Sequence, residues 1–573
     1  SLIGSGLARY TKPVPPTIDD WTHNLYDAGN SGISCDLEAG SPRHLQWTAD
    51  PPFSRSHDGN SSILTMVSAG GRVFYMMDEG STAFLSLPSK WNLVARDAFN
   101  GKLLWRKPLP QALLMQIGNI KSGFANLGHR MVAHEDAVYA TLGFNAPVSA
   151  FDSRTGKEIW ASENTENAEE LILFEGVLYC VINLSEKSRT QHPYQSMEDV
   201  KRIPAAAIPR KLVAIDAKTG AVLWQKSPPA ILPLSLTAGK AGVFIHDGAS
   251  IVALAPRNGD ERWRSDRIAF YSKLQQYSGV NMVLKDGVLL FACGTAYPHK
   301  RRDHKSDWQN SITALDARTG DILWRAPHIQ DGIFVTQDLL IADGLVWTAD
   351  IDSGHSKGDY FGRDIKTGSV VREFKGDGSK HMPHARCYRN RGTDRFIFTG
   401  RTGVNIFDVR SGKWDHNYWI RGACRYGVMP ANGLLYNTPS VCTCYINSKI
   451  KGLNALADHS PTRRLPKRIP ETGRLVKGPA YAKAPTFAEA TADKTAGRPA
   501  FAPPNSQSPT TNAPPADWPT YRGAPDRHGV ASGPLSESYA AGWETPIGGK
   551  LTQPVIAGGK VFVAAKAQHA VFA

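Results

Sequence analysis

The run from Leu212 to Asp216 alternates apolar with small or polar residues, as a half-buried strand does. Asp216-Ala-Lys-Thr-Gly220 then predicts a turn. Its Asp bonds the backbone ahead of it, and its Gly takes a positive φ. Val222 to Trp224 opens a second strand that carries a large flat side chain. A lone hairpin is marginal in water, so something else must bury it. What buries it is more of the same. The pattern Ala-x-Asp-x-x-x-Gly-x-x-x-Trp recurs at Ala95, Asp97, Gly101, Trp105, at Ala150, Asp152, Gly156, Trp160, and at Ala314, Asp316, Gly320, Trp324. A copy at Ala253, Gly259, Trp263 has lost its Asp. Two degenerate copies follow, at Asp364 and Gly368 without the Trp, and at Asp408 and Gly412 with Trp414 two residues early. Repeats of roughly 40 residues with several strands each predict a propeller or a solenoid.

Each motif is preceded by an entry hairpin, turning at Gly70-Gly71, Glu135-Asp136, Gly176, Gly242, Asp286-Gly287, Asp343-Gly344, Gly392-Thr393-Asp394 and Asn432-Gly433. Eight such hairpins predict an all-β, eight-bladed β-propeller, whose radial repetition protects the sheet edges. The last blade, Arg425 to Leu456, has no docking motif and is expected to close the ring with N-terminal residues. Two blades carry insertions, Asn183 to Arg210 and Thr295 to Trp308. The second holds the basic run His299 to Lys305, read as a solvated loop rather than a nucleic-acid site.

The organisation that follows is a lead-in at 1–60, the propeller at 61–457, a Pro/Ala/Thr-rich linker at 458–516, and the truncated start of a second propeller at 517–573. Asp20-Trp21 with Gly32 and Asp517-Trp518 with Gly529 share one spacing, and Leu551 to Phe562 after the second pair reads as a first blade.

The repeated motif resembles the tryptophan-docking motif of quinoprotein-type propellers, the PQQ-like repeats, over about residues 60–457. The resemblance implies that the Trp of one blade docks on the next. The same fold hosts dehydrogenases, assembly factors and sensors, so the site must decide function. The segment Cys424 to Tyr436, with Cys442-Thr-Cys444 and the opening Ile18-Asp-Asp-Trp-Thr-His23, further resembles large PQQ-like proteins of the planctomycete type. These can carry a methyltransferase-like domain upstream, of which this chain has no motif.

Composition adjusts the picture slightly. The chain has 573 residues, 41% apolar, with 14 Trp that suit an aromatic-docked β protein. Part of the formal charge of +14 sits in the linker, where nine Lys or Arg stand against four Asp or Glu, so it argues only weakly for anionic partners. No run has the length of a transmembrane segment, and Ser1 to Tyr10 does not read as a signal peptide. Seven Cys form no disulfide scaffold.

Candidate chemistry comes from the innermost strand of each blade, just before its entry turn. Counting back about six residues lands on His129-Arg130, on His384-Ala-Arg386-Cys-Tyr-Arg389, and on Arg425-Tyr426 with Arg421 and Cys424 just ahead. Other blades put Thr65, Ser235, Asn281 or Gln337 there. Converging guanidiniums suit carboxylates, phosphates or an acidic sugar, and PQQ bears several carboxylates. The alternative is salt bridging between blades. His381, His384 and Cys387 have metal-like spacing, but nothing places Cys442 and Cys444 beside them, so no metal is assigned. Cys387, Cys424, Cys442 and Cys444 are read either as containing a disulfide or as packed thiols.

Two functions compete. One is a non-catalytic extracytoplasmic binding or scaffold module for a protein or glycan partner, or for a small anionic ligand. The other, implied by the resemblance, is a quinoprotein dehydrogenase that oxidises alcohols or sugars with PQQ and calcium. That chemistry needs a Glu and an Asn on calcium and an Asp base, and no matching cluster is found. A glycan-processing enzyme lacks its carboxylate pair. No catalytic residue is assigned, and the binding reading is preferred.

Overall fold

All eight expected entry turns join the first two strands of a sheet. The computed structural model describes residues 13–54, 63–83, 87–109, 125–143, 145–185, 205–270, 279–293, 311–327, 339–349, 359–375, 388–400, 403–424, 426–439 and 449–458. From the C-terminal part it describes 517–522, 529, 540, 543–547, 550–565 and 570–573. The expected linker, the basic run His299–Lys305, Gln337, His381 and Cys387 lie outside these residues. So do Cys442 and Cys444.

Among the described residues of the first unit there are eight sheets with a four-stranded antiparallel core, and helix is confined to two short 3-10 turns. Sheet one runs Ile63–Ala69, Arg72–Asp78, Trp91–Asp97, Leu103–Pro108, in sequence order from inside to outside. Sheets two to seven repeat this order, beginning at Met131, Ala168, Thr237, Asn281, Leu340 and Arg391. Sheet eight is composite: Val428–Ala431, Leu434–Asn437 and Leu453–Ala457 are completed by His44–Ala49 from the other end of the unit. The first strand of sheet eight lies against that of sheet one, so the ring closes as the lone final blade required.

The motif now has a physical reading. Its Ala sits between two rings: Tyr179 and Trp224 flank Ala214 on the neighbouring strands, with ring centroids 6.0 Å apart. Phe74–Ala95–Trp105, Tyr139–Ala150–Trp160 and Phe244–Ala253–Trp263 repeat this, with centroids 5.7 to 6.0 Å apart. A larger residue than Ala would push the rings apart. The motif Gly is where the Trp of the preceding sheet lands. A Cβ on Gly220 would lie 2.7 Å from the Trp160 ring, and one on Gly259 2.8 Å from Trp224. Both glycines also have φ between +73° and +78°, where other residues are strained. Each indole N–H then donates to a carbonyl of the sheet it lands on: Trp105 to Ser153 at 2.9 Å, Trp160 to Ala217 at 3.1 Å, Trp224 to Pro256 at 3.0 Å, Trp324 to Ile365 at 2.8 Å.

Two positions depart from the written motif. Phe374 takes the place of the sixth Trp and covers Gly412. Sheet eight, whose C-terminal part carries no docking motif, receives its docking residue from the closing strand: Trp47 lies 2.6 Å from the Cβ position of Gly101 and bonds Ala98 at 2.8 Å.

The second unit, from 464 onward, contains a three-stranded sheet, Val555–Ala557, Lys560–Ala565 and Ala570–Phe572. Trp518 bridges Ile556, and the Gly558 N–H donates to Asp517 at 2.9 Å. The first unit does the same with Trp21 against Ser68 and Asp20 on the Gly70 N–H, also at 2.9 Å.

Trp224→Ala is expected to destabilise the first unit by about 3–5 kcal/mol, as deletion of a large buried aromatic does. Gly259→Ala, which overpacks the same contact from the other side, is expected to remove about 1–3 kcal/mol. Urea midpoints measure both, and an unchanged midpoint for either would separate docking from stability.

Candidate functional site

One mouth of the ring is crossed by the segment Asp19–Asp36, which has almost no regular structure yet touches all eight sheets. Backbone bonds make most of these contacts. Ser68 N–H donates to Trp21 O (2.7 Å), Ala133 N–H to Thr22 O (2.9 Å), Ala238 N–H to Ala28 O (2.9 Å) and Leu284 N–H to Gly29 O (2.9 Å). Gly392 N–H donates to Gly32 O (2.9 Å) and Asn432 N–H to Asp19 O (2.7 Å). Sheet three is reached through a side chain, with Leu173 N–H donating to His23 Nε2 at 3.0 Å. Sheet six is reached by packing, with Ile33 against Leu340 and Ala342. The two ends of this strap meet: Asp36 accepts from the Asp19 N–H (3.0 Å) and the Gly433 N–H (2.7 Å).

Asn24 hangs from the strap into the ring. Its side-chain nitrogen lies 2.9 Å from His129 Nε2, and its backbone oxygen accepts from Arg391 Nη2 at 3.0 Å. Arg391 is buried, lies 4.0 Å over the ring of Tyr426, and donates also to the carbonyls of Tyr426 and Val428. The expected residues His129, Arg130, Arg421 and Tyr426 are all buried, and Arg389 is half-buried within electrostatic reach of His129. Thr65, Ser235 and Asn281 are buried as inner-strand positions should be. His384, Arg386 and Arg425 lie outside the described residues. The structure thus brings His129, Arg389 and Tyr426 around Arg391, which the six-residue count passed over. Arg391 is the first residue of the strand Arg391–Thr393, nearer the turn than the offset that located Thr65, Ser235 and Asn281. Arg421 stands beside Lys449 instead.

Burial sets the charges. His129 is pushed down to about 3 by burial, with Arg389, Arg391 and His23 adding repulsion, and burial likewise pushes His23 down to about 3. Both imidazoles are neutral. Since Nε2 of His23 accepts from Leu173, its proton sits on Nδ1, facing Thr22 Oγ1 at 2.7 Å. Burial lowers Arg130 to about 10 against the pull of Glu169, so Arg130 stays charged. Burial acts to raise Glu169, but Arg210 at 2.7 Å, Asn183 and Arg130 hold it below the ordinary range. Glu170 next to it is pushed up to about 7 by burial. Lys449 falls to about 8 through burial and Arg421. The interior is a strip of buried cations beside one anchored carboxylate, bonded to backbone and to the strap.

The sheets, the docking tryptophans and this ring interior are the setting for the comparison with known proteins. The family model of the outer membrane protein assembly factor BamB, a model of PQQ-like repeats, matches residues 11–187 and 144–413. The chain belongs to this family of PQQ-like β-propellers. No curated protein matches this PQQ-like propeller. Similar solved structures include a quinohemoprotein alcohol dehydrogenase from Comamonas testosteroni, at 12% identity and a TM-score of 0.45 over 80% of this chain and 83% of that one. A europium-containing methanol dehydrogenase gives 13% and 0.42 over 69% and 84%. BamB from Moraxella catarrhalis gives 13% and 0.39 over 74% and 99%. Among the described residues of the PQQ-like propeller, no helix is long and apolar enough to cross a membrane.

The neutral imidazoles predict acid sensitivity. Their folded pKa values lie below the ordinary 6.5, so the unfolded chain takes up protons first. Their contribution is complete above about pH 6.5 and is lost progressively as pH falls toward about 3. Urea unfolding across this window should show falling stability, and His129→Gln should flatten the slope by up to one proton. Gly29→Ala tests the strap separately: the added Cβ collides with the Leu284 carbonyl, so hydrogen exchange of the Leu284 amide should speed up while the sheet two strands stay protected.

Proposed function

We propose that the protein is an extracytoplasmic, non-catalytic propeller that binds a protein or glycan partner and receives an anionic group at the ring funnel. The observation that carries this reading is how the interior groups are used. His129 bonds Asn24, Arg391 bonds three backbone carbonyls, and Glu169 bonds Arg210 and Asn183. Groups bonded in this way hold a ring and its strap together, and a general acid or base needs a bond left over for substrate. The family description, an outer membrane protein assembly factor, supports a protein partner and an extracytoplasmic place. The anionic preference rests on Arg391 on an inner strand and on Arg130, Arg389 and Arg421 in the segments leading into inner strands, with His384, Arg386 and Arg425 expected at the same level. We read the eight sheets as eight blades, and the second unit as the opening of a second propeller, because Asp517 and Trp518 repeat the bonds of Asp20 and Trp21.

A dehydrogenase reading needs PQQ with calcium, and calcium takes six to eight oxygen ligands. Among the described residues no three His, Cys, Asp or Glu side chains come together as such a set. Glu169 and Asn183, the buried Glu–Asn pair of the described residues, are bonded to each other, and Arg210 is bonded to Glu169, which favours the binding reading.

Titration with PQQ and calcium, followed by cofactor absorbance, is expected to give no saturable change, and a saturable change would overturn the binding reading in favour of the enzyme. Pyrophosphate should raise the melting temperature of the wild type and not of the variant carrying Arg386→Ala and Arg389→Ala. Equal shifts in both proteins would remove the anion funnel and leave a scaffold.

A further inference from the structure

Six docking turns carry an Asp whose carboxylate accepts two backbone N–H groups. Asp97 accepts from Phe99 and Asn100 at 2.9 and 3.0 Å, Asp152 from Arg154 and Thr155 at 3.1 and 2.8 Å, and Asp216 from Lys218 and Thr219 at 3.1 and 2.9 Å. Asp316, Asp364 and Asp408 do the same. In sheet four, Ala255 stands at this position. The turn keeps its shape, with the Gly259 N–H on the Ala255 carbonyl at 2.9 Å and Trp224 over Gly259. Yet the N–H groups of Arg257 and Asn258 meet no acceptor among the described residues.

A second bond is missing from the same turn. In five of those six turns the residue after the motif Asp donates its N–H to the entry turn of its own sheet, as Ala217 does to Gly176 at 2.9 Å and Ala317 to Gly287 at 2.9 Å. Pro256 has no N–H to give. Here the surface opens into a cleft of about 450 Å³ between sheets three and four. Lys240, Arg257 and Arg262 line it, and none of the three forms an ion pair among the described residues. Arg262 donates to the Ala241 carbonyl at 2.7 Å. Phe174, Val177 and Tyr179 supply an apolar wall. Glu175 is the carboxylate on the lining, and the nearby Asp260 is engaged by Asn258 Nδ2 at 2.5 Å.

We propose that this cleft binds a carboxylate carried on an aromatic or apolar body, the carboxylate taking the place that the motif Asp fills in the other six turns. Two backbone donors and three cations match a carboxylate's acceptor oxygens, and the apolar wall receives the body. The cleft is independent of the ring funnel, since its cations lie on an entry turn, a docking turn and the outermost strand of sheet four rather than on inner strands.

Phenylacetate and its neutral isostere phenylacetamide are suitable probes, with binding followed by calorimetry and by amide shifts of Arg257 and Asn258. Wild type is expected to bind phenylacetate at least tenfold more tightly than the amide. Ala255→Asp restores the internal carboxylate, so it should lose phenylacetate at least tenfold while melting no lower than wild type. Arg257→Ala should weaken binding severalfold. Equal affinity for acid and amide, unchanged affinity in Ala255→Asp, or no saturable phenylacetate binding would each overturn the site. A short peptide ending in a free Phe carboxylate, compared with its amidated form, separates the sources: tenfold tighter binding than phenylacetate indicates a protein C-terminus, and equal binding a small molecule. The funnel variant with Arg386→Ala and Arg389→Ala should bind phenylacetate as wild type does, so this test and that of the proposed function fail separately.

Discussion

Everything in the first unit depends on a flat indole lying on a backbone that has no side chain. At Gly101, Gly156, Gly220, Gly259, Gly320 and Gly368 the Trp of the preceding sheet sits where a Cβ would be, and φ lies between +70° and +82°. The contact couples three demands. The turn must reach a positive φ, the surface must be bare, and a carbonyl must point at the indole N–H. Glycine meets the first two, and the turn geometry meets the third. The contact is made between sheets rather than within one, so each sheet is buried by its neighbour and none is stable alone.

Such a chain of contacts leaves two ends unless it is bent into a ring, and this ring is closed twice. His44–Ala49 completes sheet eight and brings Trp47 onto Gly101, so the docking series has no gap between the last sheet and the first. The strap then fixes the relative placement of the inner strands from one side. Its bonds are mostly backbone to backbone, which suits an irregular segment that must satisfy its own polar groups while buried. Asp20, His23, Asn24, Asn30, Ser34 and Asp36 add side-chain bonds. The buried guanidiniums and the neutral imidazoles belong to this second closure, and their chemistry follows from it.

How much could be read beforehand varies with the residue. Trp224, Asp216 and Gly220 were legible because the same residues recur at the same spacing. The sheet count followed from the entry turns. Trp47 escaped, since the docking residue of a composite sheet has no Asp and Gly before it in sequence; the third strand of its sheet, Leu453–Ala457, lies hundreds of residues away. Asp20-Trp21 was picked out by its likeness to Asp517-Trp518, but the path of the strap was not, because backbone bonding leaves no side-chain signature. His129, Arg389 and Tyr426, picked out by a fixed offset from the turn, lie around Arg391. Arg391 was missed by the same rule, because it lies nearer the turn than the offset assumes. The gap at Ala255 was visible as a lost Asp, yet only the fold brings three cations beside it.

The composite sheet has a consequence for synthesis. The strand His44–Ala49 leaves the ribosome about four hundred residues before its partner Leu453–Ala457, which is among the last parts of the first unit to be made. At about 5–20 residues per second, the interval is roughly 20 to 80 s. Throughout it, Trp47 and the strap wait for surfaces that do not yet exist, while sheets one to seven already dock in order. The nascent protein is therefore an open arc with a free sheet edge and a loose apolar leader. Final closure is a single late event, made by residues translated roughly four hundred positions before their partners.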